Sequence, residues 1–163
     1  MSGHLRRISS EPSAVDPAAR DGAPMRMAEL TVVAHTDYLS LARMSAMQVA
    51  ALVGLPLPRV ADLKLAVDEA CTSFFPREAP GREPEPAELT GARLHLCYDR
   101  YPGSLHVVVR GPAPPLWPVQ SELGWELLRA VVGEVRAEVV DGIGILTLIE
   151  PLRSAPMHVG RGV

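Results

Sequence analysis

Positive charge is scarce and scattered in this sequence of 163 residues. Lys64 is the only lysine, the formal net charge is −3, and no basic run is longer than the pair Arg6–Arg7. Proteins that bind nucleic acids or membrane surfaces usually concentrate positive charge on one face. The sequence therefore argues against direct binding to either partner.

Long apolar runs and cysteine pairs are missing as well. No apolar run approaches the ~18 residues of a membrane-spanning helix, and the N-terminus lacks the apolar core of a signal peptide. Cys71 and Cys97 lie far apart without a Cys-x-x-Cys pattern, so we predict two reduced, buried thiols. The histidines, five in all, show no spacing that is typical of a metal site. These absences lead us to expect a cytoplasmic protein.

What is present is enough for one folded domain. Hydrophobic residues make up 47% of the chain and charged residues 21%, a balance that supports one hydrophobic core at this length. Residues 1–26 are rich in Ser, Pro, Ala, Asp and Arg without periodicity, which indicates a flexible tail. We expect the folded domain over 27–150 and a second tail over 151–163.

Hydrophobic periodicity and turn residues predict the secondary structure. The predicted elements, in chain order, are strand 27–34, helix 38–53, helix 60–75, strands 92–98 and 104–110, helix 122–132, and strands 135–140 and 143–149. Proline-rich segments separate them at 76–91, which we interpret as a loop or a mobile linker, and at 111–119, which we do not expect to continue a strand. Asp141–Gly142 is a typical hairpin turn. This order predicts an α+β fold: a two-layer α/β sandwich with a mixed, mostly antiparallel sheet and helices on one face.

The predicted helix 38–53 carries apolar side chains at spacings of three and four residues: Leu41, Met44, Met47 or Gln48, Ala51 and Leu52. This spacing is typical of a helix face that packs on a core. We expect Met44 and Met47 to belong to that core, the alternative being an adaptable binding surface, for which methionine is also suited.

The predicted helix 60–75 has an apolar stripe from Val60 to Phe74 and a polar side. On the polar side Glu69 and Ser73 are four residues apart and therefore share a face. A carboxylate and a hydroxyl so placed can line a pocket, with Glu69 as a general base or as the holder of a metal-bound water. A simple solvated helix face explains the same two residues.

The segment Ala61-Asp-Leu-Lys-Leu-Ala-Val-Asp-Glu-Ala-Cys-Thr-Ser73 resembles the N-box helix of the GHKL (histidine kinase-like) ATPase superfamily. It is most similar to anti-sigma factors and serine kinases of the RsbW type, whose segment ends in Glu-Ala-Cys-Thr-Asn. Among these it looks closest to actinobacterial stress-sigma antagonists of the UsfX kind. The order of elements over 27–150 is similar too. The resemblance implies a GHKL-type sandwich, an ATP and Mg²⁺ site, and protein partners.

The resemblance assigns a role to each polar residue of this helix. Glu69 matches the family's general base, which activates the hydroxyl of a target serine. Ser73 stands where the family has its magnesium-binding Asn. Because Mg²⁺ requires oxygen ligands at ~2.0–2.1 Å in near-octahedral geometry, the shorter serine side chain would leave the ion out of position.

The strand before the proline-rich segment departs further from the family. There the strand leads into Asp-x-Gly-x-Gly, whose Asp accepts a hydrogen bond from the adenine amino group. Gly111 occupies the Asp position here, and Ala113 occupies the position of the first glycine. A site that binds an amino group loses affinity when its acceptor is deleted.

The segment Glu122-Leu-Gly124-Trp-Glu-Leu-Leu128 resembles the family's Gly-x-Gly-Leu turn. Gly124 retains the second glycine, whereas Glu122 replaces the first. In the family the backbone amides of this turn face the phosphates, and a carboxylate at Glu122 would compete with them. Alternatively, Glu122 is a favourable residue for the first turn of a helix and Gly124 only packs closely.

The resemblance also implies partners. Anti-sigma factors of this family form homodimers and hold a sigma factor against their first helix. Arg43 lies where the family has an arginine that contacts the sigma factor, although an exposed helical arginine needs no such role. We expect Trp117 and Trp125 to be packing anchors.

Three altered positions, Ser73, Gly111 and Glu122, favour a degenerate ATP site. We therefore expect an anti-sigma factor that sequesters an alternative sigma factor of stress or development by direct binding. A STAS-type anti-anti-sigma protein would release it by partner switching. The alternative is an active, Mg-ATP-dependent serine kinase of the RsbW type with Glu69 as its base. A third possibility is a nucleotide-binding or structural domain without either role.

Overall fold

The computed structural model describes residues 22–75, 91–118 and 123–153. In this part of the chain the strands and α-helices are β1 Met25–Val33, α1 Leu39–Leu52, α2 Leu57–Thr72, β2 Arg93–Tyr101, β3 Ser104–Pro112, α3 Leu123–Val131, β4 Glu134–Val140 and β5 Ile143–Pro151. The fold is α+β, as predicted. The bounds of each element agree with the predicted ones to within three residues.

The strands form one open sheet in the order β1-β2-β3-β5-β4, and each neighbouring pair is antiparallel. The prediction that the sheet is mixed, with some parallel pairing, is therefore wrong for the described strands. The connections explain why. Short turns join β2 to β3 and β4 to β5, and the pair α1–α2 returns the chain to the end of the sheet from which it left β1.

Alternate residues of the central strands face the helices and form the core. Val107 and Val109 of β3 are opposite Leu148 and Leu146 of β5, and all four are 0% exposed. The residues between them lie on the other side of the sheet, which we call the open face. This alternation is the pattern expected for an antiparallel sheet with helices on one side.

Helix α1 packs on the core with small residues and not with the large ones. Its buried side chains are Ala42, Ala46, Val49 and Ala50. Four large apolar side chains are instead 43% to 67% exposed: Leu41, Met44, Met47 and Leu52. The prediction that Met44 and Met47 belong to the core is therefore wrong. Small side chains allow α1 to approach its neighbours closely, and a close-packed interface has no room for a methionine. We call the four exposed side chains the α1 apolar face.

Helix α2 buries the stripe that the sequence predicts. Pro56 is its N-cap and Pro58 lies in its first turn, where the missing amide proton costs no helical hydrogen bond. The buried side chains include Leu63, Val67 and Cys71. The helix ends at Thr72, three residues before the predicted end, with Ser73 as its C-cap.

An ion pair fastens the first turn of α2 to the last strand. Nε and Nη2 of Arg59 donate to the carboxylate of Glu150 at 2.7 and 2.5 Å. Nη1 of Arg59 donates to Asp62 at 2.8 Å. The Glu150 side chain is only 3% exposed, against 34% for Arg59. Hydrogen bonding to Glu150 raises the pKa of Arg59 above its usual value.

The sequence predicts the turn between β4 and β5 correctly, but not the end of β3. Asp141 and Gly142 join β4 to β5 with φ of 51° and 78°, as a type I′ hairpin turn requires. The expectation that β3 ends before Gly111 is wrong, because Gly111 and Pro112 still pair with Gly144 and Ile143. Proline is tolerated there since pairing with β2 has already ended, which leaves that side of β3 as an edge.

Both ends of the described fold lie beside the turn between β2 and β3. Met25 pairs with Arg100, and the amide of Leu152 donates to the carbonyl of Gly103 at 2.8 Å. Strand β1 thus begins inside the predicted tail 1–26, and residues 1–21 and most of the predicted loop 76–91 lie outside the described residues. None of the described helices has both the length and the apolar character that crossing a membrane requires.

Candidate functional site

The structure brings the four predicted nucleotide-site residues to one end of the molecule, in two separate groups. Glu69 of α2 lies against Gly124 of α3. Ser73 lies at the end of α2, and the next residue, Phe74, packs against Gly111 at the end of β3. Glu122, the remaining altered position, lies outside the described residues.

Glu69 points its carboxylate at the first turn of α3. A β-carbon added to Gly124 would lie 2.9 Å from Oε2 of Glu69, so the missing side chain is what allows this approach. The first turn of a helix carries partial positive charge, which favours a carboxylate there. Within the described parts of the chain, Glu69 makes no side-chain hydrogen bond or ion pair. Its position is thus explained by the charge of a helix end as well as by a catalytic role.

Ser73 already has two hydrogen-bond partners. Its Oγ donates to the carbonyl of Ala70 at 2.7 Å and accepts from Nε1 of Trp117 at 3.1 Å. A hydroxyl has one proton and two lone pairs, so a single lone pair remains. The hydroxyl that stands for the family's magnesium-binding Asn is therefore held in place by the residues around it.

Trp117 is the centre of this region. Its ring lies 4.7 Å from that of Phe74, centroid to centroid, and the residue is 9% exposed. A β-carbon on Gly144 of β5 would lie 2.7 Å from Phe74 and 2.9 Å from the Trp117 ring. The two aromatic rings therefore cover the sheet where Gly144 has no side chain. The prediction that Trp117 is a packing anchor is confirmed, and Trp125, 6% exposed, is buried as well.

Gly111 has no space for the side chain that the family places there. A β-carbon at this position would lie 2.6 Å from Cδ2 of Leu94 and 3.4 Å from Cδ1 of Phe74. An aspartate would need these buried side chains to move, and a close-packed core resists such movement. The end of β3 is thus built around glycine.

These contacts decide how well the residues present fit Mg-ATP. The adenine acceptor that the resemblance implies would stand at Gly111, which has no side chain. The hydroxyl of Ser73 keeps one free lone pair, and Phe74 and Trp117 pack between the end of α2 and the sheet. Two cavities among the described residues lie elsewhere, around Arg59 with about 370 Å³ and around Arg100 with about 440 Å³. The residues do not fit Mg-ATP in this conformation.

Arg43, the predicted partner contact, lies on α1 beside the α1 apolar face. Its Nη1 donates to Oδ1 of Asp68 on α2 at 3.0 Å, and the two side chains are 40% and 24% exposed. The guanidinium keeps donors free for a second acceptor, because this contact uses one of its five N–H groups.

Both cysteines are buried free thiols, as predicted. Burial raises the pKa of Cys71 to about 12. A thiol with so high a pKa is not a nucleophile near neutral pH, so Cys71 acts as a core residue.

Sequence reasoning missed Asp68 and Gly144, although both had a signal. The signal for Asp68 is that it is a second acid directly before Glu69. It faces α1, where it pairs with Arg43, and not the region around Trp117. Gly144 interrupts an otherwise apolar strand, and a glycine inside a strand often marks the close approach of another group.

Comparison with known proteins adds no assignment: no protein-family model and no curated protein matches this chain.

Proposed function

We propose that this protein is an anti-sigma factor with a GHKL-type sandwich, which sequesters an alternative sigma factor of stress or development by direct binding. A STAS-type anti-anti-sigma protein releases the sigma factor by partner switching, and the chain acts as a homodimer. The observation that carries the proposal is the α1 apolar face, with Met44 67% and Leu52 64% exposed.

The α1 apolar face is unusual for the solvent side of a helix. The solvent side of an amphipathic helix is normally polar or charged, and contiguous exposed apolar side chains often mark protein-binding sites. Methionine suits such a surface because its flexible thioether adapts to the shape of a partner. Arg43 at the side of this face adds a directed charge. These features favour the binding of an apolar surface of the partner.

The packing around Trp117 favours binding over catalysis. The ATP and Mg²⁺ site that the resemblance implies at Ser73 and Gly111 is packed by Phe74 and Trp117, and Ser73 offers a metal only one free lone pair. The N-box resemblance is then explained as a retained scaffold. In this scaffold the carboxylate of Glu69 interacts with the partial positive charge at the first turn of α3.

The test is binding to the sigma factors of the host, purified one at a time, by calorimetry. We expect one alternative sigma factor to bind, and Met44→Glu to weaken that complex at least about tenfold because a charge would be buried against apolar surface. Val140→Glu is the matched control, since Val140 is 49% exposed on β4, away from α1. Failure to bind any sigma factor, or equal loss in both variants, would overturn the proposal.

A pair of variants separates a partner contact at Arg43 from a purely internal role. Arg43→Ala removes both the charge offered to a partner and the pair with Asp68. Asp68→Ala removes only the pair and leaves Arg43 free. If Arg43 contacts the sigma factor, Arg43→Ala weakens the complex and Asp68→Ala does not. Equal effects would assign Arg43 to the α1–α2 contact alone.

The second candidate function is a serine kinase of the RsbW type. It is favoured by the carboxylate of Glu69, which has no hydrogen-bond partner in the described residues and is half-buried. The protein is incubated with Mg-ATP and a STAS-domain protein, and ATP binding is measured by calorimetry with and without Mg²⁺. Serine phosphorylation that is lost in Glu69→Ala would establish the kinase and overturn the binding-only function.

A further inference from the structure

Three potential metal ligands meet on the open face of the sheet, the face opposite to the one that the region around Trp117 covers. Glu29 of β1 is directly opposite Cys97 of β2 in the register, and His95 precedes Cys97 by two residues on the same face. Opposite residues of an antiparallel pair have β-carbons about 4.5–5.5 Å apart. The fold therefore brings a carboxylate, an imidazole and a thiol together from two strands.

The distances suit a tetrahedral ion. One ligand atom from each of Glu29, His95 and Cys97 lies within 4.8 Å of the other two. Around zinc, bonds of about 2.0–2.3 Å place neighbouring ligand atoms roughly 3.3–3.8 Å apart. The difference is about one ångström. Binding of an ion therefore requires side-chain movement of this size. Glu29 is exposed and moves once its contact with Arg26 is broken, while Cys97 is 1% exposed and fixed by its neighbours.

The imidazole is already oriented by a neighbour. Oγ1 of Thr31 lies 2.8 Å from Nδ1 of His95, and Thr31 is opposite His95 in the register. Metal-binding histidines usually have such a partner on the ring nitrogen that does not bind the ion, so Thr31 has this role when Nε2 of His95 is the ligand. Thr31 thus restricts the ring before any ion arrives.

Arg26 supplies the positive charge at this place in the absence of an ion. Its Nη1 donates to Glu29, while Nε and Nη2 donate to Asp99 at 2.5 and 3.4 Å. An ion that takes Glu29 displaces one of these contacts and leaves the two to Asp99. Arg26 also interacts with the side chain of Cys97, so it competes with a cation at this cluster of ligands.

We infer that Glu29, His95 and Cys97 form a binding site for one zinc ion. A thiolate and an imidazole are ligands that Zn²⁺ prefers, whereas Mg²⁺ and Ca²⁺ prefer oxygen ligands alone. Three protein ligands leave the fourth tetrahedral position to water. Cys97 binds as the thiolate and gives up its proton to the solvent. The site joins the edge strand β1 to β2, and it does not depend on the proposed regulatory function.

The test uses the reduced full-length protein after removal of metals by a chelator. Zn²⁺ is titrated by calorimetry, and Co²⁺ is titrated as a spectroscopic substitute whose charge-transfer absorption reports a bound thiolate. We expect one Zn²⁺ per chain. Cys97→Ser loses the charge-transfer band, and both Cys97→Ser and His95→Gln weaken Zn²⁺ binding at least about tenfold, the effect that even supporting residues have.

Matched controls exist for both ligands. Cys71→Ala removes the other thiol, on the helix side of the sheet, and His106→Gln removes the neighbouring histidine of the open face. Both keep the band and the affinity. If Cys71→Ala does not fold, His106→Gln serves alone. The absence of saturable binding to the wild type, or a band that survives Cys97→Ser, overturns the site.

A second variant tests the competition. Arg26→Gln removes the charge that holds Glu29, so we expect Zn²⁺ affinity to rise several-fold, whereas Glu29→Gln lowers it. Arg136→Gln is the control, because Arg136 pairs with Glu134 on another strand of the same sheet. Weaker binding in Arg26→Gln would remove Glu29 from the ligand set.

Discussion

At the scale of single residues, the region around Trp117 depends on the missing side chain at Gly144. Gly144→Ala places a methyl group 2.7–3.0 Å from the rigid rings of Phe74 and Trp117. Overpacking of this kind costs about 1–3 kcal/mol, and we expect that loss in the free energy of unfolding measured in urea. Because the Trp117 ring must shift, its fluorescence changes as well.

Gly124→Ala is the contrasting variant. The new methyl group meets only the end of the flexible Glu69 side chain, and alanine favours a helix over glycine by roughly 0.5–1 kcal/mol. We expect stability to be unchanged or higher. An equal loss in both variants would show that the contacts at Gly144 are not special.

His106 on the open face gives a pH-dependent prediction. Burial lowers its pKa, the charge of Arg136 lowers it further, and Asp99 and Glu134 oppose both effects. The ring is also packed against Tyr101 at 4.1 Å between centroids, and Nε2 lies 3.1 Å from Oγ of Ser104. The folded state therefore favours the neutral ring.

The sign follows from the lowered pKa. The unfolded chain takes up the proton first, near pH 6.5, so the contribution of His106 to stability is complete above that pH and is lost as the pH falls towards the folded pKa. We expect His106→Gln to reduce the decline in stability between about pH 7 and pH 5. Urea denaturation at several pH values measures this, and parallel curves for both proteins would contradict it.

At the scale of elements, the attachment of α2 to β5 through Arg59 and Glu150 is asymmetric. Removal of Arg59 leaves a carboxylate that is 3% exposed without its partner, and an orphaned buried charge typically costs about 3–5 kcal/mol. Removal of Glu150 leaves an arginine that is 34% exposed and can be hydrated. We expect Arg59→Ala to lower the free energy of unfolding more than Glu150→Ala does.

Asp62→Ala is the control for this pair. Asp62 is the other partner of Arg59, and its side chain is 38% exposed, so its loss costs about 0–1 kcal/mol. Chemical denaturation compares the three variants. A larger effect of Glu150→Ala than of Arg59→Ala would contradict this, because it would show that the carboxylate of Glu150 is hydrated in the folded protein.

The elements also show where sequence reasoning succeeds and where it fails. The β4–β5 hairpin was predictable because Asp141–Gly142 specifies its own turn. The face of α1 was not. The spacing of residues in α1 is compatible with two buried faces, one formed by large apolar side chains and one formed by small side chains. Only the close approach of the neighbouring elements decides that the face with the alanines is buried. The contact of Trp117 with Ser73 and Gly144 was not predictable either, because it joins three segments that are distant in the chain.

At the scale of the whole molecule, the two cysteines become accessible through different openings: Cys97 through local opening of the sheet edge and Cys71 through global unfolding. Cys71 lies in the core between α2 and the sheet, and its burial raises its pKa to about 12. Cys97 lies on the open face beneath the edge strand β1. Local opening of an edge costs less free energy than global unfolding. We therefore expect Cys97 to react with a thiol reagent faster than Cys71.

The rates are measured by mass spectrometry in single-cysteine variants, Cys71→Ala and Cys97→Ala, with a chelator present so that no metal protects Cys97. The label on Cys97 should accumulate at native conditions, and the label on Cys71 should follow the global unfolding free energy. Equal rates would show that β1 opens only together with the core.

For the molecule as a whole, the fold class followed from the sequence more completely than the site did. Element order and the short turns restrict an α+β chain of this kind to few arrangements. The site depended on facts that spacing does not contain: the space at Gly111, the partners of Ser73, and the meeting of Glu29 with Cys97 across two strands. A histidine and a cysteine two residues apart gain a possible third ligand only once the strand register is known.

The neighbouring positions of Met25 and Leu152 beside the β2–β3 turn have a topological consequence. A short peptide could join the two ends of the folded domain without crossing the sheet, and new ends could be opened at the exposed Asp141–Gly142 turn. Circular permutation is tolerated where the original ends are close and the new ones lie in a surface turn. The order of the elements along the chain is therefore separable from their arrangement in space.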